Sequence, residues 1–215
     1  MADSPVILEI IFQLVNGQKL HFQTYHKRRA QEIIDSINPQ KFFLDKHIRL
    51  FSASSMTSIL SNSVSWMVFK TPLKLNWAFP LHFDGAQVIT KEQFIDAAKM
   101  ELPVIMEKLR SGQAGQEVSF FLELITKGAS CWFLRVYSET LMPAEKIQIP
   151  KMLQEISGFH AHGADGGGIL INMRNVMSWT VFPGPIEPAA KAWKMSPSSA
   201  STSTEQAEKQ PEKTK

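Results

Sequence analysis

The chain is 215 residues long, 44% apolar and 20% charged, which is enough to bury a substantial core and describes an ordinary globular protein. Its formal net charge of +3 comes from scattered basic residues and is too small to announce a nucleic-acid or anionic-membrane surface unaided. A single cysteine, Cys131, excludes an internal disulfide, no charged-then-apolar leader opens the sequence, and no apolar run approaches the roughly 18 residues that span a bilayer, so a reducing, cytoplasmic setting with no membrane contact is expected.

Asn16-Gly17 lies between two runs rich in β-branched and aromatic residues, and both of its residues tolerate the positive φ of a type I′ turn. The pattern predicts a hairpin of Val6 to Val15 with Gln18 to Thr24. From Lys27 to Ile37, the residues Ala30, Ile33, Ile34 and Ile37 recur at helical spacing and lay one apolar stripe on a sheet, and Asn38-Pro39 ends the helix. Two strands follow, His47 to Ala53 and Ser58 to Phe69.

Leu73 to Glu117 has no counterpart elsewhere and reads as an insert. Its aromatic, proline-punctuated start is an extended segment ending at Asp84-Gly85. Its second part is a helix, about 90–110, that opens on a Thr90/Gln93 capping box and is kinked by Pro103. A second hairpin is expected from Val118 to Thr126 with Ser130 to Tyr137 about a Lys127-Gly128 turn. A helix from Ala144 to Ile156 comes next, then strands Phe159 to His162 and Gly168 to Phe182. The sequence from about Lys194 onward, rich in Ser, Thr, Glu and Lys, lacks the large apolar residues that would offset its conformational entropy and should be disordered.

The two halves share a motif. Asn62 to Phe69 and Asn175 to Phe182 both read N-x-x-S-W-x-V-F. Phe51 to Ser55 matches Phe159 to Gly163, Ile59-Leu60 matches Ile169-Leu170, and Pro72 matches Pro185. The fold expected is therefore α+β, a tandem duplication of a small ββαββ unit with mostly antiparallel sheets and one short helix each. Its parts are 1–72, an insert 73–117 with the kinked helix, 118–188 and a tail 189–215. Trp66 and Trp179 should occupy equivalent strand positions.

Candidate chemistry is sparse. His160 and His162, two apart on a strand, face the same way and could share a metal ion, with a further ligand from His82, Asp84 or His47; the preferred reading is a polar strand face turning into a loop, since the first copy has Ser52 and Ser54 there. The glycines after Asp165 feed a strand rather than a helix, so a hairpin connection is expected in place of a phosphate loop. Cys131 reads as a buried, inert thiol. Tyr25, Lys27, Arg28 and Arg29 form the densest basic cluster, which either grips nucleic-acid phosphates or is a solvated helix end. Trp77, Phe79 and Phe83 in the insert are either a partner surface or a cover for an open sheet face.

No cofactor and no catalytic group are expected. The leading expectation is a non-catalytic cytoplasmic binding or scaffold protein that self-associates or binds a protein partner. A nucleic-acid-binding regulator using the basic cluster is the alternative, and a metal-dependent enzyme using His160 and His162 stands behind both.

Overall fold

The computed structural model describes residues 5–52, 54–80, 83–111, 118–138, 149–163 and 166–184. The expected disordered tail, the match to Pro185, the start of the second short helix, and His82 lie outside them. Those residues form a mixed α+β fold of eleven strands and three α-helices. In chain order these are β1 (Leu8–Leu14), β2 (Lys19–Thr24), α1 (Lys27–Ser36), β3 (His47–Phe51), β4 (Met56–Leu60), β5 (Val64–Lys70), β6 (Gly85–Ile89), α2 (Lys91–Ser111), β7 (Val118–Thr126), β8 (Cys131–Ser138), α3 (Ile149–Glu155), β9 (Gly158–His162), β10 (Gly168–Asn172) and β11 (Val176–Phe182).

Nine strands make one sheet in the order β11-β7-β8-β6-β9-β10-β5-β1-β2, and β3 pairs only with β4. All pairings are antiparallel except β6 with β9. The first hairpin turns where expected, with Gly17 at φ 90° supplying the conformation that side chains resist. The capping box also forms. Thr90 Oγ1 accepts from the Gln93 N–H at 3.2 Å, and Gln93 Oε1 accepts from the Thr90 N–H at 3.0 Å.

Two expectations about strands need correction. Ser58 to Phe69 is not one strand, because a 3₁₀ turn at Ser61–Ser63 divides it into β4 and β5. Gly168 to Phe182 is likewise divided, at Met173–Asn175. Among the described residues, each half therefore reads ββαβββ rather than ββαββ. The insert also supplies a strand that had no forecast, β6, which fills the space between β8 and β9.

The register corrects the repeat itself. Leu14 lies opposite Val64 and Gln13 opposite Trp66, while Thr126 lies opposite Val176 and Ile125 opposite Ser178. The turns agree, since Val15 N–H donates to the Ser63 carbonyl at 2.9 Å and Lys127 N–H to the Asn175 carbonyl at 2.8 Å. In these pairings and turns the two segments correspond at a step of 112 residues, Leu14 to Thr126 and Val64 to Val176, whereas His47 opposite Leu60 and Gly158 opposite Asn172 correspond at 111 on one strand and 112 on the other. The shared motif runs at 113, Asn62 to Asn175. By pairing, Trp66 matches Ser178 and Trp179 matches Met67, so the two tryptophans are not equivalent. A one-residue slip on a strand reverses the face to which a side chain points, which makes this more than a matter of alignment.

Three apolar clusters hold the fold. The first lies under α1, where Ala30 and Ile34 meet Leu8, Ile10, Phe12, Val64, Met67 and Phe69. The second lies under α3, where Met152 and Leu153 meet Phe120, Leu122, Leu124, Phe159 and Ile171, with Trp179 and Val181 half-buried against it. A third forms beneath α2, from Phe94, Ile105 and Phe121. At the step of 112, Leu8, Ile10 and Phe12 become Phe120, Leu122 and Leu124, inward-facing in both halves.

The halves join where β10 pairs with β5, Gly168 opposite Phe69 through Ile171 opposite Trp66. Alternation along β5 sends Met67 and Phe69 to the first cluster and Trp66 and Val68 to the second. Two buried amides secure the junction. Asn172 Nδ2 donates to the carbonyls of Ser61 at 2.9 Å and Val64 at 2.8 Å, and Asn175 Nδ2 donates to those of Asn62 and Val64, both at 2.8 Å. Replacing Asn172 with Leu would leave two buried carbonyls each short of a partner, an expected loss of about 2–4 kcal/mol. Urea unfolding measures it; a loss below about 1 kcal/mol would mean that the amide is not holding the halves together.

Candidate functional site

The insert crosses both main clusters. Leu75 and Trp77 enter the first and Phe83 the second, with Phe79 packed against the second. Trp77 Nε1 donates to the Ile34 carbonyl at the end of α1, 3.0 Å away, and its ring meets Phe69 edge-on at 5.0 Å. The side chains of Trp77 and Phe83 are buried in this conformation, and of the three insert aromatics only Phe79 keeps an exposed share.

Phe79 stacks on His160, with ring centroids 4.0 Å apart and planes at 24°, and its other neighbour is His162 at 5.9 Å. Trp77 closes the far side of His160, edge-on at 5.6 Å. The two histidines do share a strand face. Among the described residues, however, no group of three His, Cys, Asp or Glu side chains gathers to hold a metal. His47 lies on β3 in the other sheet, with Nδ1 3.1 Å from Ser58 Oγ.

His160 is 2% exposed, and neither ring nitrogen has a hydrogen-bond partner among the described residues. Burial is the main reason its pKa is lowered to about 4, followed by the charge of His162; the Trp77 backbone acts in the opposite direction. The sign follows from linkage. The unfolded chain takes up this proton near the ordinary value of 6.5, and the folded chain resists it until about pH 4. Stability from this group is present above pH 6.5 and is lost as the pH falls toward 4. A series of denaturant melts should show a fall on the order of 3 kcal/mol across that window, flattened in His160→Phe, whose ring can keep the stack on Phe79. An unchanged slope in the variant would assign the acid sensitivity to other groups.

The basic cluster lies at the junction of β2 and α1. Tyr25, Lys27, Arg28 and Arg29 are all exposed. Arg28 Nε bonds Glu32 Oε1 at 2.9 Å, one turn along the helix. No acidic residue occupies the first turn of α1, so three cations stand against the positive end of the helix dipole.

Cys131 is exposed, which corrects the expectation of burial. Partial desolvation and then the Glu123 carboxylate, 3.7 Å from Sγ, push its thiol pKa up, which disfavours a reactive thiolate. The three glycines do belong to a hairpin connection, between β9 and β10. Gly167 has no room for a side chain, because an added Cβ would collide with the Phe69 carbonyl of β5.

Sequence reasoning missed the most open feature of the surface. β11 and β2 end the nine-stranded sheet, and β3 and β4 are each unpaired on one side, among the described residues. Large apolar side chains are exposed on these elements: Phe51 on β3, Met56 and Leu60 on β4, and Met177 on β11. Beside β11 is a depression of about 230 Å³ lined by Leu153, Ile156, Met173, Arg174, Val176 and Trp179.

Among the described residues, no helix is long and apolar enough to cross a membrane. Comparison with family models, with curated proteins and with solved structures finds no match for this chain.

Proposed function

We propose that the chain is a non-catalytic cytoplasmic scaffold or binding module that works by self-association or by taking a protein partner. The observation that carries this reading is that two of the open edges, those of β4 and β11, bear exposed apolar side chains. Such an edge presents unpaired N–H and C=O groups and is ordinarily blunted by charge or proline, or paired with another strand. Neither β4 nor β11 contains a charged residue or a proline, whereas the other edge strands, β2 and β3, carry Lys19 and Arg49.

The same reading includes a tandem duplication, now of a ββαβββ unit and equated at the step of 112 rather than by the shared motif. Support for it comes from the matched pairings around both turns and from the inward positions common to β1 and β7. Light scattering across a dilution series tests the functional proposal. The expected result is a mass above that of one 24.2 kDa chain that falls on dilution. A single-chain mass at every concentration would remove self-association and leave only a foreign partner.

One observation favours a second reading. Three cations at the start of α1 oppose the helix dipole at a cost of some tenths of a kcal/mol, and none of them is buried in the core. A nucleic-acid backbone against Tyr25, Lys27, Arg28 and Arg29 would offset that cost. Retention on heparin that weakens steeply with salt in the wild type and is lost in Arg28→Glu/Arg29→Glu supports it; equal retention of both proteins opposes it.

A further inference from the structure

We infer that copies of this protein join head to tail, with β4 of one copy adding as a strand to the outer edge of β11 of the next. The inference rests on the duplication proposed above. Inside the chain, the second half docks on the first by laying β10 along β5. At the step of 112, the counterpart of β5 is β11, and the counterpart of β10 is β4. One junction of this kind is thus made within the chain, and the two strands left over, β4 and β11, each have an open edge among the described residues.

The surroundings of β11 fit the same role. The carbonyls that receive Asn172 and Asn175 belong to Ser61, Asn62 and Val64. Their counterparts at the same step are Met173, Arg174 and Val176, and these three line the open depression beside Trp179. In the first half the corresponding place is filled by the Asn172 and Asn175 amides and by Leu170, which packs into the first cluster. In the second half it is open among the described residues.

The occupant this geometry selects is another copy. Transferring the internal register puts Met56 opposite Val181, Thr57 opposite Thr180, Ser58 opposite Trp179 and Ile59 opposite Ser178. Leu60 then takes the place of Asn172, and its side chain, 44% exposed in the single chain, meets a depression lined by Leu153, Ile156, Met173, Val176 and Trp179 together with Gln154 and Arg174. Ser178 and Thr180 stand where Trp66 and Val68 stand within the chain, so the junction between copies buries less apolar surface and is the weaker, reversible one. The two surfaces differ, which makes the interface heterologous. It closes into a ring or runs on as a filament according to the rotation at each step.

The test uses the full-length chain and two variants. Leu60→Arg disables β4 and leaves β11 intact, whereas Thr180→Arg disables β11 and leaves β4 intact. By light scattering, wild-type mass should rise with concentration, and each variant alone should stay a single chain, its association weakened by at least about tenfold. An equimolar mixture of the two should form dimers and stop there, because one intact β11 meets one intact β4 and the remaining edges are both blocked. Thermal melts check folding, and Met56→Arg, at a more exposed β4 position, replaces Leu60→Arg if the latter melts early. A wild type that associates while both variants associate equally well would overturn the head-to-tail junction and leave the scaffold reading standing. A wild type that never associates would overturn the junction together with self-association, leaving only a foreign partner for the proposed function. Dimers from either variant alone would point to a symmetric contact and also contradict the proposal.

Discussion

The four hydrogen bonds that Asn172 and Asn175 donate to the carbonyls of Ser61, Asn62 and Val64 are the constraint on which the rest of the molecule depends. They lie beside the β5–β10 pairing, where the sheet passes from one half to the other. Both lone pairs of the Val64 carbonyl are taken, and Asn172 also accepts from the Arg174 N–H, so little polar capacity is left unused in a site where waste is costly. A second contact reinforces the first. Ser157 Oγ donates to the Gln40 carbonyl at 3.0 Å and receives the Phe43 N–H at 3.2 Å, tying the start of β9 to the segment after α1. Gly158 follows directly, with no space for a Cβ against the Pro39 carbonyl.

With the halves held this way, the insert determines what remains open. β6 lies between β8 and β9, meeting β9 at Gln87 opposite His162, while β10 is held in the large sheet by β5. The hairpin of β3 with β4 has neither neighbour and remains a two-stranded ribbon among the described residues. Its apolar side chains Phe51, Met56 and Leu60 are exposed for that reason. The aromatics of the insert meanwhile work inward. Trp77 anchors to the end of α1, and Phe79 covers His160, whose burial makes that corner of the core sensitive to acid.

Local signals in the sequence were the ones that could be read. Asn16-Gly17, the stripe of Ala30 and Ile34, and the reciprocal bonds of Thr90 and Gln93 are each decided within a few residues. What was hidden is set by long-range pairing. Gly85 to Ile89 is too short and too mixed to declare itself a strand, and it becomes one because β8 and β9 present edges to it. The repeat misled for a related reason. In both halves the register shifts beside the 3₁₀ turn, between Gln13 and Leu14 opposite β5 and between Val176 and Ser178 in β11, and a one-residue offset in that region lets Trp66 match Trp179 in letters while pairing places them on different positions. The candidate site suffered most. Open edges are a property of the assembled sheet, and His160 and His162 drew attention as possible ligands when the deciding fact about His160 is its burial.

Amide hydrogen exchange of the native full-length chain tests the central claim, that the β5–β10 junction makes the halves one cooperative structure. The account predicts that hydrogen-bonded amides of β5 and β10 exchange only through global unfolding, with the same opening free energy as the central amides of β1 and β7. Exchange of the junction amides through a separate, cheaper opening, while β1 and β7 stay protected, would show two independently stable halves and contradict it.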